Sequence, residues 1–328
     1  MSLREDFDAL LLDLDGTVWE GGQALPDAVD ALNASEASLV YITNNASRGP
    51  EVVASLLSEM GIPTNTDQVL TSAQAAIEMA QEHLPEGAAV LVLGSDSFKA
   101  LAKAGGFEVV ASADDQPKAV LHGHNPATGW AELSEAALSI AAGAHYFASN
   151  LDTTLPSERG LCVGNGSMVA AVVSATGVHP KAAGKPQPAM FHSAVQRVGS
   201  AKPLAVGDRL DTDIAGAVAA EMPTLHLLTG VSRHWALIRA DQSQRPTMVA
   251  ETLAALDQEQ AELQPGKQGG FEAYREGEAI VLAGGDDDAT AVQALRTVLS
   301  IAWQQPEGFE GEVRAASKQA SRSIEQWS

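Results

Sequence analysis

Short apolar runs recur along this chain, and each stops at a cluster of small polar residues. The first is Ala9-Leu10-Leu11-Leu12-Asp13-Leu14-Asp15-Gly16-Thr17. A run this short, closed by Asp and Gly, predicts a buried parallel strand over Asp8–Leu14 that ends at a loop. Ser38–Ile42, Ala88–Leu93, Phe107–Val110, Ala119–His122, His145–Ala148, Pro203–Val206 and Thr224–Leu228 repeat the pattern, and Arg245–Val249 with a helix to Leu256 completes the series. Between them, helices are predicted at Pro26–Asn33, Pro50–Met60, Lys99–Ala104, Leu133–Ala142, Met168–Thr176, Pro188–Val198 and Ala215–Ala220. Another is capped at Thr71-Ser72-Ala73 and runs to about His83. Strand and helix in alternation predict an α/β fold with a parallel sheet. The series that begins near Thr71 has its own turn signals and is predicted as a separate α/β domain inserted into the first.

After Leu256 the pattern changes. Asp257–Lys267 reads as a polar linker, Gly270–Tyr274 and Glu278–Leu282 as a hairpin around Gly277, and Ala289–Trp303 and Ala315–Trp327 as helices. This tail is too small for a complete domain, so it is expected to dock on the rest of the chain or on another subunit. The expected division is a core of residues 1–70 and 180–256, an insertion of 71–179, and an extension of 257–328.

Composition narrows the class. The chain has 328 residues, 45% of them apolar, enough to bury a full core. No apolar run reaches the length of a membrane span, and the polar, acidic start lacks the order of a signal peptide. With Cys162 as the single cysteine, no internal disulfide can form, and a soluble cytoplasmic protein is expected. The formal charge of −22 disfavours nucleic acid and anionic membranes as partners. An anionic substrate would need a local pocket of cations.

Candidate chemistry gathers at the strand ends, where open α/β sheets bind ligands. Asp13 and Asp15, two apart, are predicted to face one crevice with Leu14 turned away. Crowded carboxylates repel, and a bound cation or a shared proton relieves them. The strand Pro203–Val206 brings a second acidic pair, Asp208 and Asp213, to a strand end. Ser38–Ile42 ends in Thr43-Asn44-Asn45-Ala46-Ser47-Arg48, where backbone N–H groups and the Thr43 hydroxyl can donate to a phosphate, or simply cap a helix. Lys185 lies in Gly184-Lys185-Pro186, which holds the side chain in place. Two acidic strand ends, one hydroxyl strand end and one Lys make a divalent-metal and phosphate site, and Mg2+ suits those hard oxygen donors. Three other features carry blander expectations. Trp19 is expected to pack on the core. His122-Gly123-His124 has no third Cys or His nearby, so two neutral loop histidines are expected rather than a zinc site. Gly164-Asn165-Gly166-Ser167 lacks the third glycine and the acidic ribose ligand of a dinucleotide fingerprint. It equally suits a close approach to a ligand or another segment.

Taken in order, Asp13-Leu14-Asp15-Gly16-Thr17, the Thr43 strand end, Lys185 and Gly207-Asp208…Asp213 resemble the four motifs of the haloacid dehalogenase (HAD) superfamily, over about residues 6–256. The insertion between the second and third motifs looks like a C2-type cap. Thr43-Asn44-Asn45, Gly184-Lys185-Pro186 and Gly207-Asp208-Arg209-Leu210-Asp211-Thr212-Asp213-Ile214 narrow the resemblance to the NagD-like, p-nitrophenyl phosphatase branch. An acidic chain of this kind with a short α/β tail also resembles the actinobacterial glycerol-3-phosphate phosphatases, whose tail is similar to part of a GNAT acetyltransferase fold. Pro306-Glu307-Gly308-Phe309-Glu310-Gly311 is only an echo of an acetyl-CoA loop, so acetyl transfer is not expected. His124-Asn125 and Asn165 depart from the usual cap pattern.

The resemblance implies a Rossmann-like parallel sheet core, an inserted α/β cap, a small C-terminal α/β extension, and Mg2+-dependent phosphomonoester hydrolysis. It implies that Asp13 attacks phosphorus and forms an aspartyl-phosphate, while Asp15 protonates the leaving alkoxide and then deprotonates water. Mg2+ is implied on Asp13, the Asp15 backbone carbonyl and Asp208, with Asp213 orienting a water beside it. Thr43 and the Asn44 amide are implied to bind phosphoryl oxygens, and Lys185 to neutralise transition-state charge. Asn45 and Arg209 are further expected phosphate or substrate contacts. Dehalogenases of the superfamily lack the second acid, so Asp15 points away from them. The cap is implied to close over the site and read the leaving group. The expected substrate is glycerol 3-phosphate, with phosphoglycolate, nucleoside monophosphates and pyridoxal phosphate as alternatives. Only 5% of residues are aromatic, which favours a small polyol or acid phosphate. The expected partner is therefore a small phosphorylated metabolite, and a homodimer is compatible with the chain. The alternative from another class is a non-catalytic protein that binds partners through its tail.

Overall fold

In a computed structural model, which describes residues 2–157 and 159–328, the chain forms two compact units. The first comprises Met1–Tyr41, Met60–Ile62 and Val195–Ser328, the second Ile42–Glu59 and Pro63–Ala194.

Parallel strands organise the first unit in the order Met248–Ala250, Thr224–Leu227, Pro203–Gly207, Ala9–Leu12 and Ser38–Thr43, the last passing into the second unit after Tyr41. Ala9 lies opposite Pro203 and Ser38, and Leu12 opposite Val206 and Tyr41. Leu10, Leu11, Leu12, Val40, Leu204, Val206, Leu225 and Leu227 are all buried. Both faces of the sheet are covered, which is why these runs show no polar alternation. The first strand stops at Leu12, two residues short of the predicted Leu14. The Asp13 N–H makes a last bond to the Val206 carbonyl, and the Leu14 carbonyl then accepts from the N–H groups of Thr17, Val18 and Trp19. A turn has claimed it. A short antiparallel pair, Trp19–Glu20 with Gln23–Ala24, follows where a plain loop is predicted.

The extension belongs to this first unit. Phe271–Glu276 and Ala279–Gly284 pair antiparallel, as the hairpin pattern predicts. Val313–Ala315 adds a parallel strand beside Ala279–Gly284. The last helix is accordingly shorter than expected, Lys318–Ile324, and Ser317 caps it by accepting from the Ala320 N–H. The predicted linker Asp257–Lys267 is partly folded: it contains the short helix Gln260–Leu263, with Leu263 fully buried. The helix Ala291–Ala302 starts from a reciprocal Thr290–Gln293 cap and buries Ala291, Leu295, Val298 and Leu299 on one face. That face joins Phe271, Ile280 and Leu282 of the extension to Leu210, Ile214, Leu237 and Val249 in one hydrophobic cluster. The tail therefore docks on its own chain.

In the second unit, parallel strands run in the order Lys181–Ala182, His145–Ala148, Ala119–His122, Ala89–Leu93 and Glu108–Val110. Helices Ser72–Gln81, Asp96–Ala104, Trp130–Ala141 and Asn165–Thr176 alternate with them. Leu91, Val120, Ile140, Tyr146, Val169 and Val172 are part of its core. This is the second α/β series that the turn signals predict. Among the described residues, no helix is long and apolar enough to cross a membrane.

Candidate active site

Asp13 follows the last residue of the first strand, and Asp208 follows Gly207, the last residue of the neighbouring one. Asp213 is delivered by a π-helical turn, Leu210–Ile214, an irregularity that recurs at functional sites. One carboxylate oxygen from each of Asp13, Asp208 and Asp213 lies within 4.8 Å of the others, and Asp208 and Asp213 are buried. Three carboxylates at that spacing need a cation or a proton among them. The donors are hard oxygens only, and they fit Mg2+.

The surroundings hold this geometry. Asp208 Oδ2 accepts from the Val231 N–H at 2.6 Å, and Oδ1 from the Thr17 hydroxyl at 3.5 Å. Asp213 Oδ2 accepts from the Arg209 N–H at 3.1 Å. Gly16 has φ +87°, and a Cβ there would stand 2.8 Å from the Asp208 carboxylate; at Gly230 the gap to Asp208 Oδ2 would be 1.9 Å. The carboxylate fills the space that two glycines leave.

Asp15 does not join the trio through its side chain. It is exposed, and its Oδ1 accepts from the Trp19 indole N–H at 2.8 Å. The expectation that Asp13 and Asp15 face together assumed a strand through Leu14. With the strand ended at Leu12, the two-residue period no longer applies. Trp19 packs in the core as expected, 5% exposed, and also holds an acidic side chain. Arg209 carries an ion pair to Asp211, with bonds of 3.0 and 2.7 Å, which holds the Asp211 carboxyl below the usual carboxylate range.

The second unit assembles the other candidates. Thr43 is buried, and its Oγ1 accepts from the Asn45 N–H at 3.1 Å. Asn45 Oδ1 caps the loop by accepting from the Ser47 N–H and hydroxyl. Asn44 is a hub: Oδ1 accepts from the Lys185 N–H at 2.8 Å, while Nδ2 donates to the Lys185 carbonyl at 3.0 Å and to the Asp152 carboxylate. Lys185 is 4% exposed, and its Nζ donates to the Ile42 carbonyl at 3.1 Å. The lysine side chain is thus held at its tip. Both asparagine side chains brace the loop, Asn45 through Ser47 two residues on and Asn44 through partners over a hundred residues away, which its spacing alone does not reveal.

His122 is fully buried rather than on a loop. Its Nδ1 pairs with the Tyr146 hydroxyl at 2.9 Å, and burial pushes its pKa down to about 4. Asn165 Nδ2 donates to the carbonyls of His122 and Asn150. The Gly-rich helix entry thus serves the close approach of another chain segment. The Pro306–Gly311 stretch has its own employment: Arg245 Nη2 donates to the carbonyls of Gln305, Pro306 and Glu307, and Phe309 is buried under the Arg275 guanidinium.

A parallel α/β sheet with a carboxylate trio across two adjoining strand ends defines a metal-assisted hydrolase of the Rossmann-like type. The haloacid dehalogenase-like hydrolase family matches residues 10–108, and a HAD-hydrolase-like family matches residues 182–256. The D-glycerol 3-phosphate phosphatase of Mycobacterium tuberculosis is 40% identical, over 100% of this chain and 96% of that protein. An acid sugar phosphatase of Staphylococcus aureus is 36% identical, over 70% of this chain and 89% of that protein. Among solved structures, a glycerol phosphate phosphatase from M. tuberculosis in complex with magnesium aligns with a TM-score of 0.95 at 40% identity, covering 100% and 99% of the two chains. A 4-nitrophenylphosphatase from Thermotoga maritima aligns at 0.72 with 26% identity, over 79% and 99%. The chain belongs to the haloacid dehalogenase-like hydrolase family.

Proposed function

We propose that this protein hydrolyses phosphomonoesters with the help of Mg2+, and that its substrate is glycerol 3-phosphate. The observation that carries the reading is the Asp13–Asp208–Asp213 trio, in a chain similar along its whole length to a D-glycerol 3-phosphate phosphatase. In this reading the phosphatase core is residues 1–70 and 180–256, the cap 71–179 and the extension 257–328. The net charge and the single, exposed Cys162 fit a cytoplasmic enzyme that takes a free metabolite rather than nucleic acid.

Asp13 is the nucleophile. Its carboxylate oxygen forms the new bond to phosphorus as the ester oxygen leaves, giving an aspartyl-phosphate. Asp15 gives its proton to the departing alkoxide and later takes one from the water that hydrolyses the intermediate. The Trp19 indole keeps that carboxyl group oriented. Thr43 and the Asn44 N–H serve the phosphoryl oxygens, and Lys185 offsets their charge. Arg209 and Asn45 are supporting contacts, acting through the loops they brace. Asp13, the Asp15 backbone carbonyl and Asp208 would hold Mg2+, with Asp213 beside them. Bound there, the ion supplies the positive charge that lets an anionic phosphate approach a carboxylate.

The test is phosphate release from a panel of glycerol 3-phosphate, phosphoglycolate, nucleoside monophosphates and pyridoxal phosphate, with Mg2+ present. A strong single preference for glycerol 3-phosphate is expected. Equal, slow rates on all would overturn the substrate, and no release from any would overturn the activity in favour of a partner-binding role.

A further inference from the structure

His226 sits between Leu225 and Leu227 in the buried strand Thr224–Leu227, directly opposite Gly207, the residue before Asp208. It is fully buried. A polar ring is expensive in such a place unless it is used. Its Nε2 lies 2.8 Å from the Ser232 carbonyl, and Nδ1 has no hydrogen-bonding partner among the described residues. A carbonyl only accepts, so Nε2 carries the proton, and the ring spends that donor on closing the loop that follows its own strand.

That loop grips the acidic site from several sides. The Thr229 hydroxyl donates to the Gly16 carbonyl, at the exit of the Asp13 strand. Gly230 abuts the Asp208 carboxylate, and the Val231 N–H donates to Asp208 Oδ2. The Ser232 N–H donates to the Asp208 carbonyl at 3.1 Å, and the Ser232 hydroxyl accepts from the Leu210 N–H at 3.1 Å. Ser232 therefore ties both sides of Asp208, and His226 ties Ser232.

We infer that His226 is a positioning residue for the divalent-cation site: through Ser232 it sets the loop Thr229–Ser232, and with it the orientation of the Asp208 carboxylate. The inference rests on the reading of the trio as a Mg2+ site. An apolar residue at 226 would suit the core but would leave the Ser232 carbonyl without its donor.

The measurement is Mg2+ binding to the substrate-free, full-length protein by titration calorimetry, beside the Mg2+ concentration for half-maximal phosphate release. His226→Leu is expected to weaken Mg2+ binding about tenfold, as the loss of a partner behind a metal ligand commonly does. The Mg2+ requirement rises in step, while kcat at saturating Mg2+ stays within about twofold. His226→Gln keeps an N–H donor near the position of Nε2 and is expected to restore most of the affinity. If His226→Leu melts earlier but binds Mg2+ as the parent does, the residue is merely structural and the inference is overturned. If the Leu variant does not fold, His226→Phe, which keeps a ring and lacks the N–H donor to the Ser232 carbonyl, carries the test, and unchanged Mg2+ affinity in it overturns the inference. Asp208→Asn is the control: should it retain Mg2+ binding, the reading of the trio fails, and this inference with it.

Discussion

At the scale of single residues, the acidic site trades stability for chemistry. Asp13, Asp208 and Asp213 hold carboxylate oxygens within 4.8 Å of one another, with two of the three residues buried. Their mutual repulsion works against the fold until a cation joins them. Asp13→Asn removes one charge and the nucleophile together. It is expected to lower kcat by about 10^4 or more, by analogy with other removed nucleophiles. In chelator it should melt no earlier than the parent, because the repulsion has eased. Added Mg2+ should raise the melting temperature of the parent more than that of the variant. Calorimetric melting with and without Mg2+ checks both; an active Asp13→Asn would remove Asp13 from its role. Gly230→Ala probes the same site from behind. A Cβ there meets Asp208 Oδ2 at 1.9 Å, so the carboxylate must turn away. The Mg2+ needed for half-maximal phosphate release should then rise about tenfold, the usual order when a metal ligand is displaced from its support.

At the scale of elements, apolar runs mark the strands and the polar residue after each run marks the site. That is why Asp13, Thr43 and Asp208 were legible as strand ends. The side-chain directions beyond those ends were not. Asp15 lies beyond the strand because the Leu14 carbonyl has been taken by a turn, and no period describes a turn. The Val231 N–H and Ser232 carbonyl were invisible for another reason: every residue has them, and only the fold aims them at Asp208 and His226. The strand Ala119–His122 shows the same limit with a measurable consequence. Its last residue reads as a loop histidine, yet it is buried against Tyr146, whose phenol burial pushes up. Burial lowers the His122 pKa from 6.5 to about 4, so the unfolded chain takes up the proton first. The contribution is full above pH 6.5 and is lost as the pH falls toward 4, reaching roughly 3 kcal/mol, of which about 1 kcal/mol is lost by pH 5.5. Urea unfolding at pH 7 and 5.5 should show that difference, and His122→Asn should shrink it. An unchanged difference in the variant would place the titration elsewhere.

At the scale of the whole molecule, the extension is part of the first unit's core. The hairpin was legible as two runs about Gly277, but the docking was not, because it depends on contacts far apart in the chain. Leu210 and Ile214, which bracket Asp213 on the π turn, are buried in the same cluster as Leu295, Val298 and Leu299 of the extension's helix. Arg296, 4% exposed on that helix, ties it down further: Nε donates to the Val249 carbonyl at 2.8 Å, and Nη1 to the Glu262 carbonyl at 2.9 Å and Gln268 Oε1 at 3.2 Å. Burial lowers its pKa to about 10, against Glu251 and Glu262, so it stays charged at neutral pH. Arg296→Leu leaves buried acceptors without a donor and is expected to cost about 3 kcal/mol in urea unfolding. Arg296→Lys should recover little, since one ammonium cannot span acceptors on both sides of a guanidinium. Removing residues 257–328 goes further and strips the cover from Leu210, Ile214, Leu237 and Val249. Such a bared apolar face favours aggregation. The truncated chain is therefore expected to be insoluble, or soluble without the cooperative unfolding of the parent. A truncated chain that stays soluble, unfolds cooperatively and hydrolyses phosphoesters at the parent rate would make the extension an accessory. In that case the support for the Asp213 turn would have to come from the remaining core alone.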